Sequence, residues 1–160
     1  MKLMTIGYEG LSIKEFIYIL EISNIDLLID VRELPISRKK GFSKGALSDL
    51  LLKHGVDYTH LRKLGCPRPI RYDYRSDQNW DKYTQRFTAY LNTQGEVIEH
   101  LNTLVSKLNC CLLCFEANPQ LCHRSLIAKQ LWEEGNGSIE IVHLRASQIL
   151  NSAVVAAKPL

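Results

Sequence analysis

The chain has 160 residues, 46% of them hydrophobic, and a formal net charge of +3. That length suits one domain with one core, and the hydrophobic share excludes an intrinsically disordered chain. No apolar run reaches the roughly 18 residues of a membrane span, and Met1 to Gly7 loses its apolar character too early for a secretory leader, so the expectation is a cytoplasmic protein without a membrane partner.

Leu3 to Ile6 reads as a short buried strand that ends at the turn Gly7-Tyr8-Glu9-Gly10. Ser12 is placed to cap a helix whose Ile13, Phe16, Ile17 and Leu20 recur at the spacing of one apolar face. Asp26 to Val31 is a second strand, apolar through its middle as a strand covered on both faces should be. Pro35, Ser37 and Gly41 mark a loop, and Lys44 to His54 follows as a helix carrying Leu47, Leu50 and Leu51. Val56 to Leu61 alternates enough for a third strand.

Prolines, glycine and many charges between Arg62 and Asn79 predict a long irregular segment of the kind that is usually functional or mobile. Trp80, Tyr83, Phe87, Tyr90 and Leu91 then line one face of a helix, and Val97, Leu101, Leu104, Val105 and Leu108 line another. Cys110 to Phe115 is the clearest strand of the chain, Arg124 to Glu134 a helix ended by Gly135 and Gly137, and Ser138 to Leu144 a last strand. Residues 1–150 read as one domain, with a tail over 151–160 that has little to pack and is expected to fray. Strands alternating with helices predict a single-domain layered α/β fold, a mostly parallel sheet flanked by helices.

In such sheets ligands bind beyond the carboxyl ends of the strands. Gly7 to Gly10, Asp30 to Glu33 and Cys114 to Ala117 follow strands and are polar where the strands are not, so they should converge on one cleft. The densest stretch runs from Leu113 to Ser125. Asn118-Pro119 opens either the helix itself or a separate turn before a helix that begins near Cys122. Both readings put Cys122, His123 and Arg124 in or near a first helical turn, where free backbone N–H groups favour anions and thiolates.

The expected catalytic set is therefore Cys122, His123, Glu116, Cys114 and Glu9, with a thiol as nucleophile and the histidine or a carboxylate moving protons. The expected anion-binding set is Arg124, Arg32, Asp30, Tyr8, Ser37, Arg38 and Phe42. The substrate expected for such a site is phosphorylated, nucleotide-like or a nucleic acid, so the partners foreseen are an anionic small molecule or a nucleic acid.

The five cysteines, odd in number and unevenly spaced, do not form a disulfide framework. No metal or cofactor is expected: Cys111 and Cys114 have C-x-x-C spacing and Cys122 and His123 could complete four ligands, but strand alternation turns Cys111 and Cys114 to opposite faces. Asp30 to Glu33 resembles the strand end of rhodanese-type sulfurtransferases. The Cys-x5-Arg loop of those enzymes is missing, since six residues on from Cys114 is Gln120 and from Cys122 is Ala128. A rival function, a non-catalytic nucleic-acid-binding module, follows from the basic 62–75 segment, in which Tyr72 and Tyr74 lie among Arg68, Arg71 and Arg75.

Taken in order, Thr5 to Gly10, Asp30-Val31-Arg32 with Pro35 and Ser37, Gly41-Phe42-Ser43-Lys44, Leu64-Gly65, Cys114 to Ala117 and Cys122 to Ser125 form a recognisable pattern. It resembles the family known as the domain of unknown function 488, over about residues 3 to 145. The resemblance implies a cytoplasmic α/β protein with an enzyme-like polar cluster and no established reaction. The residues matching the family pattern are Tyr8, Glu9, Asp30, Arg32, Ser37, Phe42, Glu116, Cys122, His123 and Arg124.

Overall fold

The computed structural model describes residues 1–147 and 149–151 of the chain. The tail expected to fray lies, beyond residue 151, outside the described residues. Five strands, β1 (Lys2–Gly7), β2 (Leu27–Asp30), β3 (Asp57–His60), β4 (Cys110–Cys114) and β5 (Glu140–His143), make one all-parallel sheet in the order β3-β2-β4-β1-β5. The helices are α1 (Ile13–Ile22), α2 (Lys44–Lys53), α3 (Arg68–Asp77), α4 (Trp80–Leu91), α5 (Gly95–Lys107) and α6 (His123–Glu134). This is the expected single layered α/β fold, with a sheet that is wholly parallel. Among the described residues no helix is long and apolar enough to cross a membrane.

Strand alternation divides the core into two halves. Leu3, Leu27, Ile29, Cys110 and Leu112 point to one face and pack on Phe87, Leu91, Ile98, Leu101, Ile127 and Leu131 from α4, α5 and α6. Met4, Ile6, Leu28, Cys111 and Leu113 point to the other and meet Phe16, Ile19, Leu20, Leu47 and Leu51 from α1 and α2. α1 starts where Ser12 predicts: its hydroxyl accepts the Glu15 N–H at 3.2 Å, and the Glu15 carboxylate accepts the Ser12 N–H at 2.8 Å.

The segment expected to be irregular is mostly helical. A 3-10 turn covers Arg62–Leu64, and α3 follows with Pro67 before its first residue and Pro69 within its first turn, where a missing N–H costs nothing. Ile70 is the one buried residue of α3, so the apolar stripe that announces a helix is nearly absent. Farther on, Asn118 and Pro119 open a separate 3-10 turn, Pro119–Leu121, and Cys122 caps α6.

The strand order positions the site. The chain lays down β1, then β2 and β3 to one side, and returns so that β4 enters between β2 and β1. The carboxyl ends of β2, β4 and β1 are therefore neighbours, in the crevice that such a reversal creates. Gly7 makes the closest approach possible: a Cβ there would lie 1.8 Å from the carbonyl oxygen of Glu116. Gly65 does the same for the loop before α3, since its Cβ would lie 2.4 Å from the backbone of Glu33.

Candidate active site

The three strand ends open into one cavity of about 380 Å³. Tyr8 enters it from the end of β1, Arg32 and Glu33 from β2, and Cys114, Phe115 and Glu116 from β4. Cys122 and His123 reach it from the start of α6, and Arg71, Tyr74, Arg75, Trp80 and Tyr83 from α3 and α4.

Four reactive groups meet in the cavity wall. The carboxylate Oε2 of Glu116 accepts from the Cys114 thiol at 2.9 Å and from the Cys122 thiol at 3.2 Å. The His123 Nδ1 is 3.6 Å from the Cys114 sulfur and 3.9 Å from that of Cys122. On its other side the ring donates Nε2–H to the Val31 carbonyl at 2.8 Å, and it packs T-shaped against Phe87. The one ligand atom that each of the four residues offers lies within 4.8 Å of the other three, so the group could hold a metal ion.

Burial and charge set the protonation of the cluster. Burial pushes the Glu116 carboxyl up, but the thiol hydrogen bond from Cys114, a backbone N–H, His123 and the Cys122 thiol outweigh it and leave the group below its ordinary value. Burial, reinforced by the neighbouring Cys114, pushes the Cys122 thiol well above its own. Cys66, also in the cavity wall, is pushed up by burial to about 11.

The family model for the domain of unknown function DUF488 matches residues 12–131. The chain belongs to that family. No curated protein and no solved structure shows a significant match to it. The matched span of this DUF488 protein includes Cys114, Glu116, Cys122 and His123, while Tyr8 and Glu9 lie before it.

Not every residue expected in the site faces the cavity of this DUF488 protein. Arg124 is wholly buried and donates from Nε to Thr5 Oγ1 at 3.1 Å and from its terminal nitrogens to the carbonyls of Glu116 and Ala117. Expected to hold an anion, it instead clamps the loop that carries Glu116. Arg32 lines the cavity, but Nε and one terminal nitrogen are held by Asp30 at 2.9 and 2.6 Å, and the other nitrogen reaches the Tyr8 hydroxyl and the Phe42 carbonyl. Asp30 is itself wholly buried and also accepts from Tyr58 at 2.6 Å. Arg32 and Asp30 thus form a buried ion pair at the strand end rather than a free anion grip.

Phe42 is a core residue stacked on Tyr8 with ring centroids 4.4 Å apart, and Ser37 accepts the Lys39 N–H within its own loop. Arg38 is exposed and does not line the cavity. Glu9 is exposed too, and its carboxylate accepts the Ala117 N–H at 2.8 Å, outside the cluster.

The cavity also contains residues that the sequence reading left out of its site. Glu33, Cys66, Tyr74, Trp80 and Tyr83 stand in the wall. Trp80 and Tyr83 look in sequence like one apolar helix face, and they are stacked with centroids 4.8 Å apart at 15°. Arg71 and Arg75, foreseen only for nucleic-acid binding, share that wall. Their alternation with Tyr72 and Tyr74 was the available signal.

Proposed function

We propose that this protein is an enzyme that binds a phosphorylated, nucleotide-like substrate in the cavity and transforms it at the Cys114, Glu116, Cys122 and His123 cluster. The observation that carries this reading is the pairing of walls: flat aromatic surface from Trp80, Tyr83 and Tyr74, guanidinium groups from Arg71 and Arg75, and the reactive cluster, all around one space. The volume falls within the range of about 300–1,000 Å³ usual for small-molecule sites. Arg71 gives one terminal nitrogen to Glu33 at 2.5 Å and keeps its Nε buried without a partner, a donor that an anionic oxygen would satisfy. Arg75 makes no ion pair among the described residues. Glu116, ionised and close to both thiols, is the group best suited to accept a proton from a bound substrate or water.

Trp80 reports on this space, and the only other tryptophan, Trp132, lies on the outer side of α6 in a separate shallow cleft. In a Trp132→Phe background, a panel of nucleotides and sugar phosphates is titrated against the remaining fluorescence, and ligands that bind are incubated and analysed for products by mass spectrometry. The reading expects quenching by an anionic, ring-bearing ligand and at least ~10-fold weaker binding in the Arg71→Ala, Arg75→Ala double variant. Glu116→Gln is expected to keep binding and lose turnover by ~100-fold or more. No binding across the panel, or full turnover in Glu116→Gln, would overturn it.

A second reading, a nucleic-acid-binding module, has one observation in its favour. Tyr72 on α3 is 56% exposed, with the Arg68 guanidinium 5.0 Å from the centre of its ring, a surface on which a base could stack. It predicts oligonucleotide binding that weakens steeply with salt and is lost on neutralising Arg71 and Arg75; binding that ignores salt would remove it.

A further inference from the structure

Two sulfurs, one imidazole nitrogen and one carboxylate oxygen gathered within 4.8 Å are a ligand set in chemical type as well as in spacing. We propose that Cys114, Cys122, His123 and Glu116 hold a divalent metal ion of the zinc class in the cavity wall. The proposal deepens the enzymatic reading by assigning its reactive cluster, yet it stands on donor geometry that needs no substrate.

The distances come first. With metal–sulfur and metal–nitrogen bonds of about 2.3 and 2.0–2.1 Å, a tetrahedral centre has sulfur–nitrogen edges of about 3.5–3.6 Å. The two observed edges are 3.6 and 3.9 Å. The sulfur–oxygen edges to Glu116, at 2.9 and 3.2 Å, are those of thiols hydrogen-bonded to a carboxylate, and an ion would open them to about 3.5–3.7 Å.

The imidazole is held as a ligand needs it. A carbonyl oxygen can only accept, so the contact with Val31 places a proton on Nε2 and turns Nδ1 toward the sulfurs, as the nitrogen that would bind an ion in place of a proton; such an outer hydrogen bond accompanies almost every metal-binding histidine. The ligands also sit on firm supports. Cys114 ends β4, Cys122 caps α6 and His123 is its first residue, while Arg124 holds the carbonyl of Glu116 at 2.5 Å.

Charge agrees with the assignment. Two thiolates, a carboxylate and a neutral imidazole around a divalent ion leave one negative charge. Arg124, buried beside the loop with no carboxylate partner among the described residues, supplies the positive charge that balances it.

Cys111, which shares C-x-x-C spacing with Cys114, packs on the opposite face of the sheet and takes no part. Glu116 stands in its place. It is the only hard oxygen in a set that otherwise suits zinc, so it is the ligand to exchange for water or substrate at a centre that opens on the cavity.

The test is a metal titration of the full chain, purified under reducing conditions and stripped with a chelator. Zn2+ is added in competition with a chromophoric chelator, and Co2+ in parallel with its visible spectrum recorded. The expected result is one equivalent of either ion, with a four-coordinate cobalt spectrum and a thiolate-to-cobalt charge-transfer band. Cys114→Ser and Cys122→Ser should each weaken Zn2+ by ~100-fold or more, whereas Cys66→Ala leaves it unchanged. Glu116→Gln should weaken it by about 10-fold and keep the charge-transfer band.

The wild-type cobalt spectrum needs no variant, so a misfolded mutant cannot obscure the answer, and circular dichroism verifies each variant. Absence of stoichiometric binding by reduced wild-type protein would overturn the proposal, as would undiminished affinity in a folded cysteine variant. Because the titration contains no substrate, and the fluorescence experiment is run with and without chelator, failure of the metal site and failure of the substrate reading are separate results.

Discussion

The Nε2 atom of His123 lies 2.8 Å from the carbonyl oxygen of Val31, a contact between residues 92 positions apart that ties the start of α6 to the end of β2. His123→Ala would leave that carbonyl without its donor and open a void against Phe87. The expected loss of stability is about 2–4 kcal/mol, measured by urea denaturation. A loss under about 0.5 kcal/mol would mean that the histidine contributes nothing to joining these elements.

Arg124 distinguishes a clamp from an anion grip. Its wholly buried guanidinium serves one buried and two part-buried acceptors, so Arg124→Met should cost about 2 kcal/mol or more, because a stranded buried acceptor costs about 1–3 kcal/mol. Arg124→Lys should rescue little, since one ammonium cannot reproduce the fork. Thermal melts of both variants decide it: an arginine kept for ligand binding would leave the melting temperature of the free protein intact.

Gly7→Ala tests the close passage at the end of β1. The new methyl group would meet the backbone of Glu116, which cannot rotate aside as a side chain can. A cost of about 3 kcal/mol is expected, with displacement of Glu116 visible in a crystal structure of the variant. A fully stable Gly7→Ala protein would show that the two backbones separate freely.

A chain of hydrogen bonds leads from Arg124 to the sheet edge and makes stability depend on pH. Thr5 Oγ1 accepts from Arg124 and gives its own proton to Nδ1 of His143 at 2.8 Å, which requires that nitrogen to be unprotonated. Burial, then the charges of Arg124 and Arg145, hold His143 below its ordinary value. The unfolded chain therefore takes up this proton more readily than the native one. The contribution is complete above the unfolded value of about 6.5 and is lost as pH falls toward the lower native value. Denaturation at pH 7 and pH 5 should show the wild type losing more stability than His143→Gln; equal losses would exclude His143 as the source.

Strand ends were the most legible part of the site. Strand alternation with helices is enough to bring Tyr8, Arg32 and Glu116 together, because a parallel sheet carries its ligands at one edge. What the sequence hid was the partner of each charge. Arg124 and Arg32 display a cation in the letters, but whether that cation faces a ligand or is taken up by a hydroxyl, carbonyls or a carboxylate of the chain itself depends on chain crossings that the letters do not show. α3 was hidden for another reason: a helix that buries only Ile70 has almost no apolar period to detect. Cys114 and Cys122 stand together in the expected set, but that their thiols share one carboxylate depends on the 3-10 turn between them, which spacing alone does not show.

The placement of β4 has a consequence for how the molecule comes into being. β1 and β2 share no hydrogen-bonded ladder; each pairs with β4, whose first residue is Cys110. During synthesis the growing chain can therefore join β2 to β3 while β1 stays unpaired, and β1 is tied to that pair only when the late strand β4 inserts between two strands made long before. Such distant pairing slows folding. It also means that Cys114, Glu116, Cys122 and His123, ten residues from first to last, are made together with the strand that joins the two parts of the sheet and with the turn and helix start that follow it.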